Sequence, residues 1–305
     1  MSPSVARKGK SSGSVWGSGK WKRIVAPYLF VLPNFAIFTT FIVIPAIVGF
    51  VYSFHKYDGL NDMEFTGFQN YMDIFANNEF WETLGRTAVY VAIAVPLLYA
   101  ASLGIAMLLI REVRAKGFFR AVFYWPTMIA FIIVGLTWKW IFGDSFGILN
   151  YVLVLAGAQP VKWLTDPFYA NLSVIVATVW SRTGFYMVIF IAGLQAIPAD
   201  MYEAARLDGA SRLRTFLSIT LPLLKPTSVL VLMLSVIETV KMFPLLYSLT
   251  GGGPGKDTTF IVQYIYETGF SKQELGLASA MSVILFVIIA AFTALQFRLT
   301  KGGTV

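Results

Sequence analysis

The sequence predicts an all-α integral membrane protein with six membrane-spanning helices. Hydrophobic residues make up 57% of the 305-residue chain and charged residues only 13%, and the mean hydropathy is +0.68. A water-soluble globule could not bury so much apolar surface, so the composition requires a membrane. Six apolar segments are long enough to cross a hydrocarbon core of about 30 Å, which takes roughly 20 helical residues. We place them near residues 25–52, 84–110, 119–142, 169–195, 222–248 and 276–297.

Positive charge alternates between the two sides of this predicted domain. Sixteen lysines and arginines lie in the N-terminal tail, the second and fourth loops and the C-terminus, against four in the other loops. Because cytoplasmic loops are enriched in these residues, both termini are predicted to be cytoplasmic. The predicted organisation is a disordered basic tail over 1–23, a six-helix transmembrane domain over 24–299 and a cytoplasmic C-terminal tail over 300–305.

The chain offers little for catalysis or metal binding. It has no cysteine, its one histidine is His55, and no nucleophile in a span has a plausible base, which argues against an intramembrane enzyme. The glycines before Lys20 lack the spacing of a phosphate-binding loop. The basic residues form no stripe with interleaved aromatics, so the net charge of +8 does not indicate nucleic acid. We therefore predict no catalytic residue, metal ion or cofactor in this chain.

A polar, helix-prone insert of about thirty residues separates the fourth and fifth spans on the cytoplasmic side. Asp200 and Glu203 have the spacing of a capped helix start, so a short helix is predicted to begin near Asp200. Gly209 permits a turn, and Ser211 can cap a second short helix over 212–219. On these features alone, the insert fits a juxtamembrane amphipathic loop as well as a docking element.

The residue order of the insert, 196–225, resembles the EAA loop of the membrane subunits of binding-protein-dependent ABC importers. It contains Glu203-Ala204-Ala205, then Asp208-Gly209-Ala210, then Pro222. The resemblance implies a coupling helix that sits in a groove of a cytoplasmic ATPase subunit. The coupling residues would be Glu203, Ala204, Ala205, Asp208 and Gly209. ATP and Mg²⁺ would then bind the partner ATPase subunit and not this chain.

The last outer loop contains Thr250 followed by Gly251-Gly252-Gly253-Pro254, which indicates a turn of unusual backbone geometry. Its distance from Pro222 makes it resemble the TGGGP signature of the sugar-permease branch of the importer family, the maltose and glycerol-phosphate type. Trp163-Leu164 with Asp166-Pro167, and the run from Ala192 to Pro198, add to the likeness. Pro244 departs from the branch, which often has an acidic residue there, and leaves the solute class open.

That resemblance implies a type I importer permease fold, multi-pass in a bacterial inner membrane and surrounded by membrane lipid, that imports a carbohydrate. The implied partners are a second homologous permease subunit, an ATP-binding subunit dimer and an extracytoplasmic solute-binding protein, with no nucleic acid. The binding protein would face the loop formed by Gly251, Gly252, Gly253 and Pro254. The acidic first outer loop, 53–83, fits a solvated surface and could also help to seat an external partner.

Three charged residues, Arg182, Glu238 and Lys241, are predicted inside spans, where each costs roughly 2.5 to 3.5 kcal/mol. Glu238 and Lys241 are three residues apart, so they share a helix face and can form an ion pair. Either this pair only fixes helix packing, or the charges line an aqueous cavity for sugar hydroxyls. The resemblance favours the cavity, because in this family the solute path lies between the helices that flank the EAA loop. The predicted path comprises Trp180, Arg182, Phe185, Tyr186, Glu238 and Lys241, with the aromatic rings as stacking surfaces.

An ion-coupled secondary carrier is the alternative function, with Glu238 as the coupling carboxylate. Such carriers commonly show repeated half-chains and interrupted helices. The sequence shows neither clearly.

Overall fold

The computed structural model describes residues 18–110 and 115–299, and the chain divides after Tyr52 into two units. The first unit is one apolar helical segment that is long enough to span a membrane. It consists of α1 (Ser18–Phe38), a π-helical turn (Thr39–Val43) and α2 (Ile44–Tyr52).

The predicted tails fall mainly outside the described residues. Residues 1–17 and 300–305 are not described, so the disorder of the N-terminal tail and the cytoplasmic place of the C-terminal tail stay predictions. Residues 18–23 are helical, and for them the predicted disorder is wrong. No helix-breaking residue lies between Lys20 and Val25, so the helix extends past the apolar run.

The second unit begins with the segment predicted as the first outer loop. Two short antiparallel strands, β1 (His55–Lys56) and β2 (Glu64–Phe65), are followed by α3 (Gln69–Ala76) and α4 (Asn78–Leu109). α4 begins before the predicted residue 84 because the Asn77 side chain accepts a hydrogen bond from the Glu79 N–H at 2.9 Å.

The middle of the second unit contains a broken span. α5 (Lys116–Tyr124) and a 3₁₀ turn (Trp125–Met128) meet α6 (Phe131–Ile141) at a bend of 100°. The third predicted span is therefore not one straight helix, and Pro126 in the 3₁₀ turn accounts for the break. α7 (Ile148–Leu155) and α8 (Pro167–Gln195) follow.

The remaining helices begin with those of the insert of residues 196–225. They are α9 (Ala199–Leu207), α10 (Arg212–Thr215), a second π-helical turn (Phe216–Thr220), α11 (Leu221–Leu223), α12 (Lys225–Val240), α13 (Phe243–Thr250), α14 (Ile261–Tyr266), a third π-helical turn (Glu267–Ser271) and α15 (Leu275–Leu299). The segment from α10 to α11 meets α12 at a bend of 70°.

The fifth span does not continue to residue 248 as predicted. α12 ends at Val240, and Pro244 lies in the first turn of a separate helix, α13. Proline is tolerated in the first turn of a helix but would remove a backbone hydrogen bond from the interior of a longer one.

α4 and α8 form the centre of the second unit and pack against each other along their length. The Tyr90 hydroxyl on α4 is hydrogen-bonded to the Thr178 hydroxyl on α8 at 2.8 Å. Apolar clusters surround this pair, one with α6 and α13, another with α12. Within the described residues, four helices could cross a membrane, and up to six if each bent pair is one span. The helical membrane fold is confirmed, and the count of six stays a prediction.

Candidate functional site

The insert of residues 196–225 forms two short helices joined at Gly209, as predicted. Gly209 has a φ of +68°, a left-handed conformation that residues with a Cβ rarely adopt. The turn is closed by backbone hydrogen bonds from Gly209 N–H to Arg206 O at 3.1 Å and from Ala210 N–H to Ala205 O at 2.9 Å. The Ser211 hydroxyl accepts a hydrogen bond from Arg214 N–H at 3.3 Å, which confirms the predicted cap.

α9 begins at Ala199, close to the predicted start at Asp200, but the predicted side-chain cap does not form. Its N-cap is Pro198, and no side chain of a described residue caps it. Asp200 is in the first turn, where its charge favours the positive end of the helix dipole without a capping hydrogen bond. The Glu203 side chain is exposed.

α9 has one face on the protein and one face towards solvent. Ala205 is 5% exposed, and the hydroxyl of half-buried Tyr202 is hydrogen-bonded to that of Thr220 at 3.3 Å. Glu203 and Ala204 are exposed on the other side. The structure therefore corrects the role of Ala205, which packs α9 on its own chain and is not available to a partner.

Leu207 is the residue of this face that sequence reasoning missed. It is 89% exposed, one helical turn after Glu203, in the last turn of α9. A single exposed leucine is common on protein surfaces, so only its position on the same face as Glu203 and Ala204 makes it a candidate contact. The available signal in the sequence was its position four residues after Glu203, which puts both side chains on one face of a helix.

Inside the membrane domain, an ion pair joins the two helices that flank the insert. Arg182 Nη2 on α8 lies 2.6 Å from Glu238 Oε2 on α12, with the arginine side chain mostly buried and the carboxylate partly exposed. The Arg182 guanidinium also lies 4.4 Å from the centroid of the Phe131 ring, the first residue of α6. Three helices therefore meet at one charged group.

The predicted Glu238–Lys241 pair is wrong. Lys241 is the C-cap of α12, exposed, and forms no ion pair within the part of the chain that the structure describes. Its N–H bonds back to Ile237 O at 3.2 Å and the helix stops there, which takes the side chain away from Glu238.

The aromatic residues predicted for the solute path do not form one surface. Trp180 is partly exposed. Because it lies two residues before Arg182, the two side chains are about 200° apart around α8 and do not share a face. Trp180 packs edge-on against Trp138, with ring centroids 5.6 Å apart. Tyr186 is 1% exposed in the apolar core, so its predicted role as a stacking surface is wrong. Phe185 remains partly exposed.

The glycine loop after α13 is held by its own side chains. Gln263 Nε2 donates to Gly251 O at 3.1 Å, and the Thr258 hydroxyl donates to Gly253 O at 2.7 Å. A Cβ on Gly252 would lie 2.5 Å from the Thr259 hydroxyl, so no other residue fits without a shift. The loop is thus rigid, and Pro254 follows it by a cis peptide bond.

An ion pair fastens this loop to the start of α4. Lys256 pairs with Glu79, and the hydrogen bond that its ammonium donates to that carboxylate raises the pKa of Lys256. This contact bridges the loop and the end of the first outer segment.

The segment predicted as the first outer loop, 53–83, lines an acidic groove of about 550 Å³. Asp58 accepts hydrogen bonds from the N–H groups of Asn61 and Leu60, each at 2.9 Å, and these lower the pKa of its carboxyl to about 2. Asp62, Glu64, Asp73 and Glu274 also line the groove.

Comparison with known proteins identifies relatives over nearly the whole chain. Residues 12–302 match the family model described as "Binding-protein-dependent transport system inner membrane component". The chain is 34% identical over 283 residues to the trehalose/maltose transport system permease protein MalF of Thermococcus litoralis, covering 92% of this chain and 96% of that protein. It is 33% identical over 285 residues to the sn-glycerol-3-phosphate transport system permease protein UgpA of Agrobacterium fabrum, covering 91% and 95%.

A solved structure shares the fold. A chain in the crystal structure of a bacterial alginate ABC transporter in complex with an alginate pentasaccharide-bound periplasmic protein superposes with a TM-score of 0.79 at 23% identity. The superposition covers 95% of this chain and 98% of that one.

Proposed function

Because the chain belongs to the family of binding-protein-dependent transport system inner membrane components, we propose that it is the membrane subunit of an ABC importer for a carbohydrate. The two relatives that are 33 to 34% identical to this chain are named as permeases for trehalose/maltose and for sn-glycerol-3-phosphate. These names support a polyhydroxylated solute. Membership of this family argues against the ion-coupled secondary carrier, which the sequence left as an alternative function.

The observation that carries the proposal is the two-faced helix α9. Its exposed face, with Glu203, Ala204 and Leu207, is available to a cytoplasmic ATPase subunit. Asp208 and Gly209 continue that exposed surface at the end of the helix. ATP and Mg²⁺ would bind the partner ATPase dimer, and this chain would receive the movement that hydrolysis produces.

A series of contacts leads from α9 to the charged pair in the membrane. Tyr202 links α9 to Thr220, and buried Leu224 follows at the junction with α12. α12 holds Glu238, which is bonded to Arg182 on α8. A displacement of α9 can therefore change the angle between α8 and α12, which is what alternating access between the two membrane faces requires.

The remaining contacts of the importer follow from the predicted topology, with both termini in the cytoplasm. We propose that the solute path runs between α8 and α12 and is lined by Arg182, Glu238 and exposed Lys241. The rigid glycine loop, Gly251 to Pro254, would face the solute-binding protein outside, and a second permease subunit would complete the pathway.

Disulfide cross-linking tests this assignment, because the chain has no cysteine of its own. Leu207→Cys should cross-link to an engineered cysteine in the groove of the ATPase subunit, since the residue is fully outside the protein. Ala205→Cys, two positions away and buried, is the matched control and should not cross-link. Absence of the Leu207 cross-link in a complex with wild-type transport would contradict the proposal.

A further inference from the structure

The short helix α7, between α6 and α8, exposes one broad apolar face. Successive residues of a helix are turned by about 100°, which places its exposed side chains on one arc of about 160°. The members of this arc are 53–70% exposed: Ile148, Tyr151, Val152, Val154 and Leu155. The opposite side faces the protein through half-buried Leu149 and buried Asn150. A helix surrounded by water would have polar residues on the exposed arc.

The stretch that contains α7 is also free of charge. No charged residue occurs between Asp144 and Lys162. The Asp144 carboxylate is engaged within the protein, because it accepts hydrogen bonds from the Leu164 N–H at 3.2 Å and from the Thr165 hydroxyl. The segment predicted as the first outer loop is, by contrast, strongly acidic. A continuous exposed apolar surface of this kind indicates contact with a membrane or another protein.

Hydrogen bonds of the Asn150 side chain hold α7 level with the ends of α6 and α8. Its Nδ2 donates to Asp144 O at 3.0 Å and to Val161 O at 2.8 Å, and its Oδ1 accepts from Trp163 Nε1 at 3.0 Å. Asp144 closely follows the end of α6, and Trp163 closely precedes the start of α8. At about 12 Å, α7 is too short to cross a hydrocarbon core of about 30 Å. It therefore lies at one surface of the membrane.

That surface is opposite the one that holds the insert of residues 196–225. α8 has 29 residues. This is about 44 Å of helix, which is more than the hydrocarbon core requires. Trp163, bonded to α7, precedes the start of α8, and Gln195 at the other end precedes the insert. In the predicted topology α7 is therefore at the outer surface.

The residues on either side of α7 are of the types that anchor proteins at a membrane interface. Trp140, near the end of α6, is 75% exposed, and Phe146, just before α7, is 91% exposed. Lys139 and Lys162 are exposed, and neither forms an ion pair within residues 18–110 and 115–299. Tryptophan is enriched at membrane–water interfaces, and lysines near helix ends extend to the head groups. The two ammonium groups complement the phosphates of phospholipids.

We propose that α7 lies parallel to the membrane in the outer interface of the bilayer, with its exposed apolar arc in contact with phospholipid. Helices of this kind bury their apolar face about 5–10 Å into the boundary between head groups and acyl chains. Through Asn150, α7 would then set the depth of the adjoining ends of α6 and α8, the helices that hold Phe131 and Arg182. The inference goes beyond the proposed function, because it concerns the lipid and not the solute.

Two features favour lipid over a second protein as the partner of this arc. Lysine is depleted from protein–protein interfaces, whereas Lys139 and Lys162 flank the arc on both sides. α7 also contacts α6, which belongs to a candidate membrane span. The exposed side of α6 is equally apolar and consists of Ile133, Leu136 and Trp140. The arc of α7 thus extends a surface that already faces lipid.

The test is electron paramagnetic resonance of spin labels on the full chain, purified with its associated subunits in phospholipid nanodiscs. The chain has no cysteine, so Leu155→Cys carries one label on the arc, and the signal of the unsubstituted preparation is subtracted. Oxygen dissolves preferentially in lipid, and a nickel chelate stays in water. We expect the ratio of oxygen to chelate collisions to be several-fold higher at Leu155 than at Leu60→Cys. Leu60 is the matched control, because it is 78% exposed in the acidic segment.

The other outcomes would overturn the inference. A Leu155 label that collides mainly with the chelate, as at Leu60, would show that α7 is in water. A label that neither reagent reaches would show that a protein covers the arc. Ile148→Cys repeats the measurement at the start of the arc, so the result does not depend on one variant. No sugar is required, so the proposed function can fail while this inference stands, and the reverse.

Discussion

Gly209→Val is expected to uncouple ATP hydrolysis from the membrane domain while leaving the protein folded in the membrane. Gly209 forms the turn between α9 and α10, the two helices of the proposed ATPase-docking insert. Valine can occupy this position only by leaving the left-handed conformation or by accepting its strain. Either outcome disturbs the orientation of α9 relative to α10, on which a rigid contact with the ATPase depends.

The local cost of this substitution can be bounded from the structure. A φ of +68° costs a residue with a Cβ roughly 1–2 kcal/mol, and a β-branched residue belongs at the upper end. No atom lies within 4 Å of an added Cβ, so there is no further cost from overpacking within the chain. A loss of this size is small against a total stability of about 5–15 kcal/mol. Normal amounts of protein are therefore expected in the membrane.

The assay is sugar-stimulated ATP hydrolysis by the purified complex in lipid nanodiscs, measured together with retention of the ATPase subunit. Gly209→Val should reduce the stimulated rate to the unstimulated level and release the ATPase subunit more readily. Gly157→Val is the matched control, because Gly157 has a φ of +79° and equally open surroundings but lies outside the insert. Wild-type stimulation in Gly209→Val, or equal loss in Gly157→Val, would refute the reasoning.

Four further predictions use other contacts. Glu203→Lys inverts an exposed charge on α9 and should weaken co-purification of the ATPase subunit, with partial recovery as added salt screens the repulsion. Glu238→Leu leaves Arg182 unpaired and should destabilise the fold by about 1–3 kcal/mol. The double variant Arg182→Leu/Glu238→Leu should fold but not transport. Transport by the double variant would show that the pair does not lie on the solute path. A cysteine at Ser211 should resist an impermeant thiol reagent added outside intact cells, and labelling would reverse the topology. Gly252→Ala brings a Cβ within 2.5 Å of the Thr259 hydroxyl and should lower the free energy of unfolding by about 1–3 kcal/mol. The midpoint of thermal unfolding measures this loss, and an unchanged midpoint would show that the loop adapts.

Features encoded by neighbouring residues could be predicted from the sequence. The turn at Gly209 and the cap at Ser211 depend on interactions within four residues, and the structure contains both. The composition of the spans required a membrane protein, and the family of relatives agrees. The helix start near Asp200 was also predicted, but the same local rules failed for its cap, because the N-cap is Pro198 and the Asp200–Glu203 spacing forms no capping bond.

Features that depend on distant contacts could not be predicted. Arg182 and Glu238 are 56 residues apart in sequence, and their pairing requires the packing of α8 on α12. Lys241 was the nearer candidate partner for Glu238, but it was the wrong choice because α12 ends at Val240. Pro244 was a signal in the sequence for that helix end. The side of a membrane helix that faces the core is equally hard to assign, because apolar residues occur all round it. That is why Tyr186 was predicted to be accessible and is buried.

The central claim is that this chain forms the membrane pathway of an ATP-driven carbohydrate importer. ATP-dependent sugar uptake tests it most directly, with the chain, its permease partner, the ATPase dimer and the binding protein in sealed vesicles. We predict accumulation of sugar when ATP is enclosed on the side of the ATPase, none with a non-hydrolysable analogue, and no change when ionophores abolish ion gradients. Uptake that persists without ATP and stops with ionophores would contradict the account.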